Sequence, residues 1–82
     1  MHELGLAQET LDLAVAAAEK EHGAKIISLR IEIGAMSGVE PEAFRFALET
    51  IAGNTMADHA TIIIETTEGR ELNLLSLEVN HV

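Results

Sequence analysis

Apolar residues open the chain at steps of three and four. Leu4, Ala7, Leu11, Ala14, Val15 and Ala18 form one stripe, with Glu9, Asp12, Glu19 and Lys20 mainly on the other side, which predicts a helix over residues 3–22. Gly5 is its weak point, and Gly23 closes it, as a glycine able to take positive φ past a last turn should. The rhythm then changes to two. In KIISLRIEIG, Ile27, Leu29, Ile31 and Ile33 alternate with Ser28, Arg30 and Glu32, which predicts a strand with one buried and one polar face, closed by Gly34. AMSGVEP is a loop. Pro41 suits the first position of a helix whose inner face is Phe44, Leu48 and Ile51, and Gly53 caps that helix. ATIIIETTEGRELNLLSLEV reads as a hairpin, with arms over 60–66 and 71–79 and a turn at Thr67, Glu68, Gly69 and Arg70. The second arm changes phase between Leu74 and Leu75, which predicts a bulge or an arm covered on both faces. The expected fold is α+β: two helices packed on a three-stranded β-sheet, in the order α-β-α-β-β.

Composition bounds what such a fold can do. A chain of 82 residues makes one domain, and its aromatic content of 2% makes the core aliphatic. No apolar run approaches the roughly 20 residues of a membrane span. The start lacks the basic flank and long apolar stretch of a signal peptide, so a cytoplasmic location is expected. Lys and Arg total 5 against 14 Asp and Glu, a formal net charge of −9. Phosphate binding needs clustered cations, so nucleic acid and anionic membrane are excluded as partners. A metal ion, a cationic ligand or a basic protein surface suits this charge. The absence of cysteine removes disulfides, a thiol nucleophile and every cysteine-based zinc site.

The candidate chemistry lies in the first three residues, Met1, His2 and Glu3. An α-amine, the backbone nitrogen of His2 and its imidazole can close fused five- and six-membered rings on one ion. The backbone or carboxylate of Glu3 can supply a fourth ligand. Amide nitrogens bind ions that displace their proton, chiefly Cu(II) and Ni(II). The bulky second residue implies that Met1 is retained. On chemistry alone a second reading stands beside this one: His2 and Glu3 merely begin a helix, where Glu3 complements the dipole. His22 sits at a helix end, where an imidazolium would complement the dipole. His59 falls in a loop and His81 near the tail. Glu40 and Glu42 flank Pro41 and suit a helix start. No nucleophile set, phosphate loop or catalytic carboxylate pair is present, so no enzymatic activity is expected.

MHELGLAQ, LRIEIGAMSGVEPEAFRFALE, ATIIIE and GRELNLLSLEV together resemble the HypA family, the nickel-incorporation proteins of nickel-iron hydrogenase maturation, over residues 1–79. The resemblance implies that the opening Met-His-Glu is a nickel-binding motif, with Met1 and His2 binding Ni(II), Glu3 adjacent and the histidine indispensable. It implies a nickel-incorporation GTPase of the HypB kind and the hydrogenase large subunit as partners. The family also carries a zinc-binding lobe with two CxxC pairs between the last two strands. Here Thr66 is followed directly by Thr67, Glu68, Gly69 and Arg70, so the lobe is expected to be absent between about 66 and 71. The expectation is a single nickel-binding domain over 1–82, a metallochaperone with no zinc. The alternative is a non-catalytic interaction or dimerisation module that lost nickel delivery with the lobe. ATIIIET is β-branched, carries a single charge and has no proline, so a homodimer is expected, by edge pairing or by exchange of the final strand.

Overall fold

Strand β1 (Lys25–Gly34) holds the centre of a three-stranded sheet. It is preceded by helix α1 (Glu3–Lys20) and followed by helix α2 (Pro41–Ala52), strand β2 (Thr61–Thr67) and strand β3 (Leu72–Asn80). The computed structural model describes residues 3–81. The α+β class and the element order are as the sequence predicts.

The pairing corrects the expected hairpin. The sheet order is β2-β1-β3, with β2 parallel and β3 antiparallel to β1, so the last two strands never pair with each other. The cause lies in burial. β1 buries Ile26, Leu29, Ile31 and Ile33 almost completely, whereas β2 contributes only Ile62 to the buried core and β3 no more than partly buried side chains. A strand this apolar is best placed where both edges are paired. A parallel neighbour cannot be reached by a tight turn. Helix α2 supplies the crossover from β1 to β2.

The link from β2 to β3 therefore passes around the end of β1. It must cross two strand spacings, about 9.5 Å. Residues 68–71 give five Cα steps between Thr67 and Leu72, a reach of about 17 Å when extended. Along the way the Gly34 N–H donates to the Glu71 carbonyl at 2.7 Å. The Ala35 and Met36 N–H groups donate to the Thr67 and Gly69 carbonyls, each at 2.8 Å.

The pairing of β1 with β3 is irregular at two points, in compensating ways. Arg30 pairs with Ser76 and Ile31 with Leu74, which leaves Leu75 as the extra residue of a bulge. The phase change at Leu74 and Leu75 predicted this bulge. A second shift lies between Ile26 and Ser28, and it corrects the simple alternation expected for β1: Ile26 is buried and Ile27 is exposed. After both shifts Leu72, Leu74, Leu77 and Val79 all pack against the core.

One core joins the helices to one face of this sheet. From α1 it takes Ala7, Leu11, Ala14 and Ala18. Thr10 joins them because its hydroxyl donates to the Leu6 carbonyl at 3.0 Å, so its buried donor is paired. Leu4, expected on the stripe, is exposed. From α2 come Phe44, Leu48 and Ala52, with Ile51 partly buried. Phe44 is fully buried and Phe46 stands in solvent. The Arg45 guanidinium donates to the Ile62 carbonyl and ties α2 to β2. The opposite sheet face is mixed: Arg30 pairs with Glu65 and the Asn73 amide donates to Glu32 at 2.9 Å, while Ile63 and Leu75 are exposed.

Both helix ends differ in detail from the glycine rule. At the end of α1 the positive φ belongs to His22, at 57°, not to Gly23. The His22 N–H donates to the Glu19 carbonyl and the Gly23 N–H to the Ala18 carbonyl, the pairing of a Schellman motif. Gly23 is required for another reason. A Cβ there would lie 2.8 Å from Val79 Cβ, so the glycine lets the chain pass against β3. After α2, Gly53 has φ −57° and Asn54 takes the positive φ, at 64°.

Gly34 is the glycine most closely hemmed in by backbone. A Cβ on it would overlap the Gly69 carbonyl and lie 2.8 Å from the Glu71 backbone nitrogen, and neither backbone group can swing aside. Gly34→Ala is expected to lose about 1–3 kcal/mol through overpacking, read as a lower midpoint in urea denaturation. An unchanged midpoint would mean that the 67–71 link is looser than its hydrogen bonds imply.

Candidate metal centre at the start of the chain

Glu3 occupies the first turn of α1, where its charge complements the helix dipole. Packing fixes the position of this turn, because Ala7, one turn further on, is fully buried. The start of α1 lies beside the start of α2. The Glu40 N–H donates to a Glu3 carboxylate oxygen at a long 3.4 Å.

Glu40 is the N-cap of α2. Its backbone is extended, at φ −84° and ψ 119°, and its carboxylate accepts from the Glu42 N–H at 2.6 Å. Pro41 fills the first helical position, where its missing N–H costs nothing. The Glu42 carboxylate lies 3.5 Å from Arg45 Nε. Glu40 and Glu42 thus have the helix-starting role their sequence predicts. Glu3, Glu40 and Glu42 are grouped near one helix start, and this grouping has no local sequence signal. Glu3 and Glu40 are 37 positions apart and meet only because the helices pack. The loop leading into Glu40 is braced by Val39, whose N–H donates to Ser37 Oγ at 3.1 Å. That loop also holds the Met36 N–H bond to Gly69. One backbone segment therefore touches both Glu3 and the link between β2 and β3.

Met1 and His2, the other two residues of the expected site, lie outside the described residues. The remaining histidines are dispersed. His22 ends α1 in the left-handed conformation. The His81 ring nitrogen Nε2 lies 2.8 Å from the Glu21 carbonyl. His59, also left-handed, is exposed with Nε2 3.6 Å from Asp58 Oδ1. Glu49, Asp58 and His59 line a cleft of about 380 Å³ beyond the end of α2. Among the described residues, however, no three histidine or acidic side chains converge closely enough to hold a metal ion. A described-residue site of the ordinary side-chain kind is therefore absent.

No helix among the described residues is long and apolar enough to cross a membrane. The family model for hydrogenase/urease nickel incorporation, metallochaperone, HypA, matches residues 1–79. Hydrogenase maturation factor HypA of Picosynechococcus sp. is 52% identical over 66 residues, which are 80% of this chain and 58% of that protein. Hydrogenase maturation factor HypA of Cupriavidus necator is 49% identical over 70 residues, 85% of this chain and 59% of that protein. The chain thus spans less than two thirds of the length of these curated relatives. The solution structure of the Ni metallochaperone HypA from Helicobacter pylori aligns with a TM-score of 0.89 over 100% of both chains, at 21% identity, and so shows the same fold. With the family match running through nearly every residue and relatives at about half identity, the chain belongs to the HypA family of nickel-incorporation metallochaperones.

Proposed function

We propose that the chain holds one Ni(II) at Met1, His2 and Glu3 and releases it during nickel-iron hydrogenase maturation. The observation that carries this reading is that the family match begins at residue 1, so the Met-His-Glu start lies inside the family's span. The chemistry agrees. An amine, an amide nitrogen and an imidazole in succession suit Ni(II), and the metal is cargo here, with no bond of a substrate made or broken. Glu3 reaches the ion through its backbone nitrogen or its carboxylate. Its partners in this role are a nickel-incorporation GTPase of the HypB kind and the hydrogenase large subunit, and the setting is cytoplasmic.

The zinc lobe is absent in this reading, and residues 1–82 form a single domain that folds without zinc. Support comes from the link around β1. Four residues cover its span, and the Gly69 and Glu71 carbonyls within it, with that of Thr67 at its start, each accept a backbone hydrogen bond. A second reading, an interaction or dimerisation module, draws on one observation: β2 is an edge strand of the sheet in which every residue but Glu65 is β-branched and none is proline.

Nickel titration of protein with a free amino terminus is the direct test. His2→Ala loses a chelate ring and is expected to lose most of the affinity, and one extra residue ahead of Met1 is expected to do the same. Equal binding by His2→Ala would put the site elsewhere and leave the module reading. Chelator treatment is expected to leave circular dichroism and the melting curve unchanged. A zinc-dependent melting point would instead implicate His22, His59 or His81. Light scattering across a salt series is expected to show a dimer that strengthens as salt screens the −9 charge of each protomer. A monomer mass at high salt and high protein concentration would rule the dimer out.

A further inference from the structure

A groove of about 490 Å³ runs between the outer flank of α1 and the loop that follows α2. Its floor is apolar, formed by Leu11 and Val15 from the helix and Met56 from the loop. Its rim is polar and acidic, with Gln8, Asp12 and Glu19. No lysine or arginine lines it. The loop wall is built rather than loose. The Met56 carbonyl accepts from the Ile26 N–H at 2.7 Å, and Thr55 Oγ1 donates to the Ala52 carbonyl at 2.6 Å. The same hydroxyl oxygen accepts from the Ala57 N–H at 3.0 Å. On the helix side the Gln8 amide donates to Asp12 Oδ1 at 3.0 Å, which holds one rim carboxylate in place.

The spacing of the rim charges narrows the occupant. Asp12 and Glu19 are seven positions apart, so they sit on one flank of α1 about 10.5 Å apart along its axis. Between them the floor is open to aliphatic side chains. We infer that this groove docks a cationic amphipathic helix of a partner protein. Two basic residues seven apart on that helix would meet Asp12 and Glu19, and aliphatic side chains three and four positions along would enter over Val15 and Met56. A second copy of this chain is a poor occupant, since it would bring another −9 charge against an acidic rim. The inference does not depend on nickel binding at Met1, His2 and Glu3, and its test contains no metal.

The probe is a helical peptide of roughly 18 residues made of leucine and lysine in this spacing, with a counterpart in which every lysine is replaced by glutamate. Each is titrated into the full chain labelled with nitrogen-15. The lysine peptide is expected to shift amides between residues 8 and 19 and at Thr55 and Met56, and to bind more weakly as salt rises. Asp12→Lys with Glu19→Lys is expected to weaken it by about tenfold. Glu68→Lys with Glu78→Lys makes the same change in net charge away from the groove and is expected to cost less than about twofold. Ala16→Gln, an uncharged plug at an exposed position in the groove wall, is expected to weaken binding as well. All these positions are exposed, so the same spectra report that each variant is folded. The inference is overturned if the distant charge reversal costs as much as the rim reversal, or if the glutamate peptide binds equally. Amide shifts confined to the open face of the sheet would also overturn it.

Discussion

Strand β1 has hydrogen-bonding neighbours on both edges and the helix layer against one face, and this threefold contact constrains the rest of the molecule. Its buried backbone groups must be paired, and pairing on two sides satisfies them without water. One neighbour is parallel, so a crossover is obligatory, and α2 lies where that crossover must run. The other neighbour is antiparallel and comes from the far side, so the chain must pass around the end of β1 to reach it. Gly34 stands at that end because nothing larger than hydrogen fits beneath the passing backbone.

Much of this was legible in local patterns. The periods of the helices and strands set their positions to within a few residues, and the phase change at Leu74 and Leu75 revealed the bulge. The errors arose where tertiary pairing decides between equal local signals. A four-residue link of turn-forming residues suits a hairpin and also suits a passage around one strand. Only the weight of buried side chains in β1 separates them. Ile26 and Ile27 are the same residue type, and the shift that buries one and exposes the other depends on β3. His22 takes the left-handed position, while Gly23 lies against Val79, a contact more than fifty residues away in sequence.

The candidate site divides in the same manner. The donor chemistry of Met1 and His2 is a property of adjacent residues and could be read directly. The meeting of Glu3 with the backbone of Glu40 is a product of helix packing. The groove is composite too, since α1 contributes its flank and rim while a loop more than thirty residues later contributes the wall. Its floor residues Leu11 and Val15 belong to the apolar stripe, but its rim residues Gln8, Asp12 and Glu19 lie beside that stripe, so the pattern that locates the core passes over the rim.

The position of β3 in the sheet also governs the order in which the molecule can assemble. Its partners in β1 lie 39 to 55 residues earlier, from Ile33 with Leu72 to Lys25 with Asn80. During synthesis α1, β1, α2 and β2 are all available while one edge of β1 still has no strand beside it. Closing that edge requires a large loop, and the entropy of closure falls due before the contacts are made. Completion of the central strand is thus a late event. Until then, the strand that supplies most of the sheet's buried side chains presents a bare ladder to any chaperone or neighbouring nascent chain that reaches it.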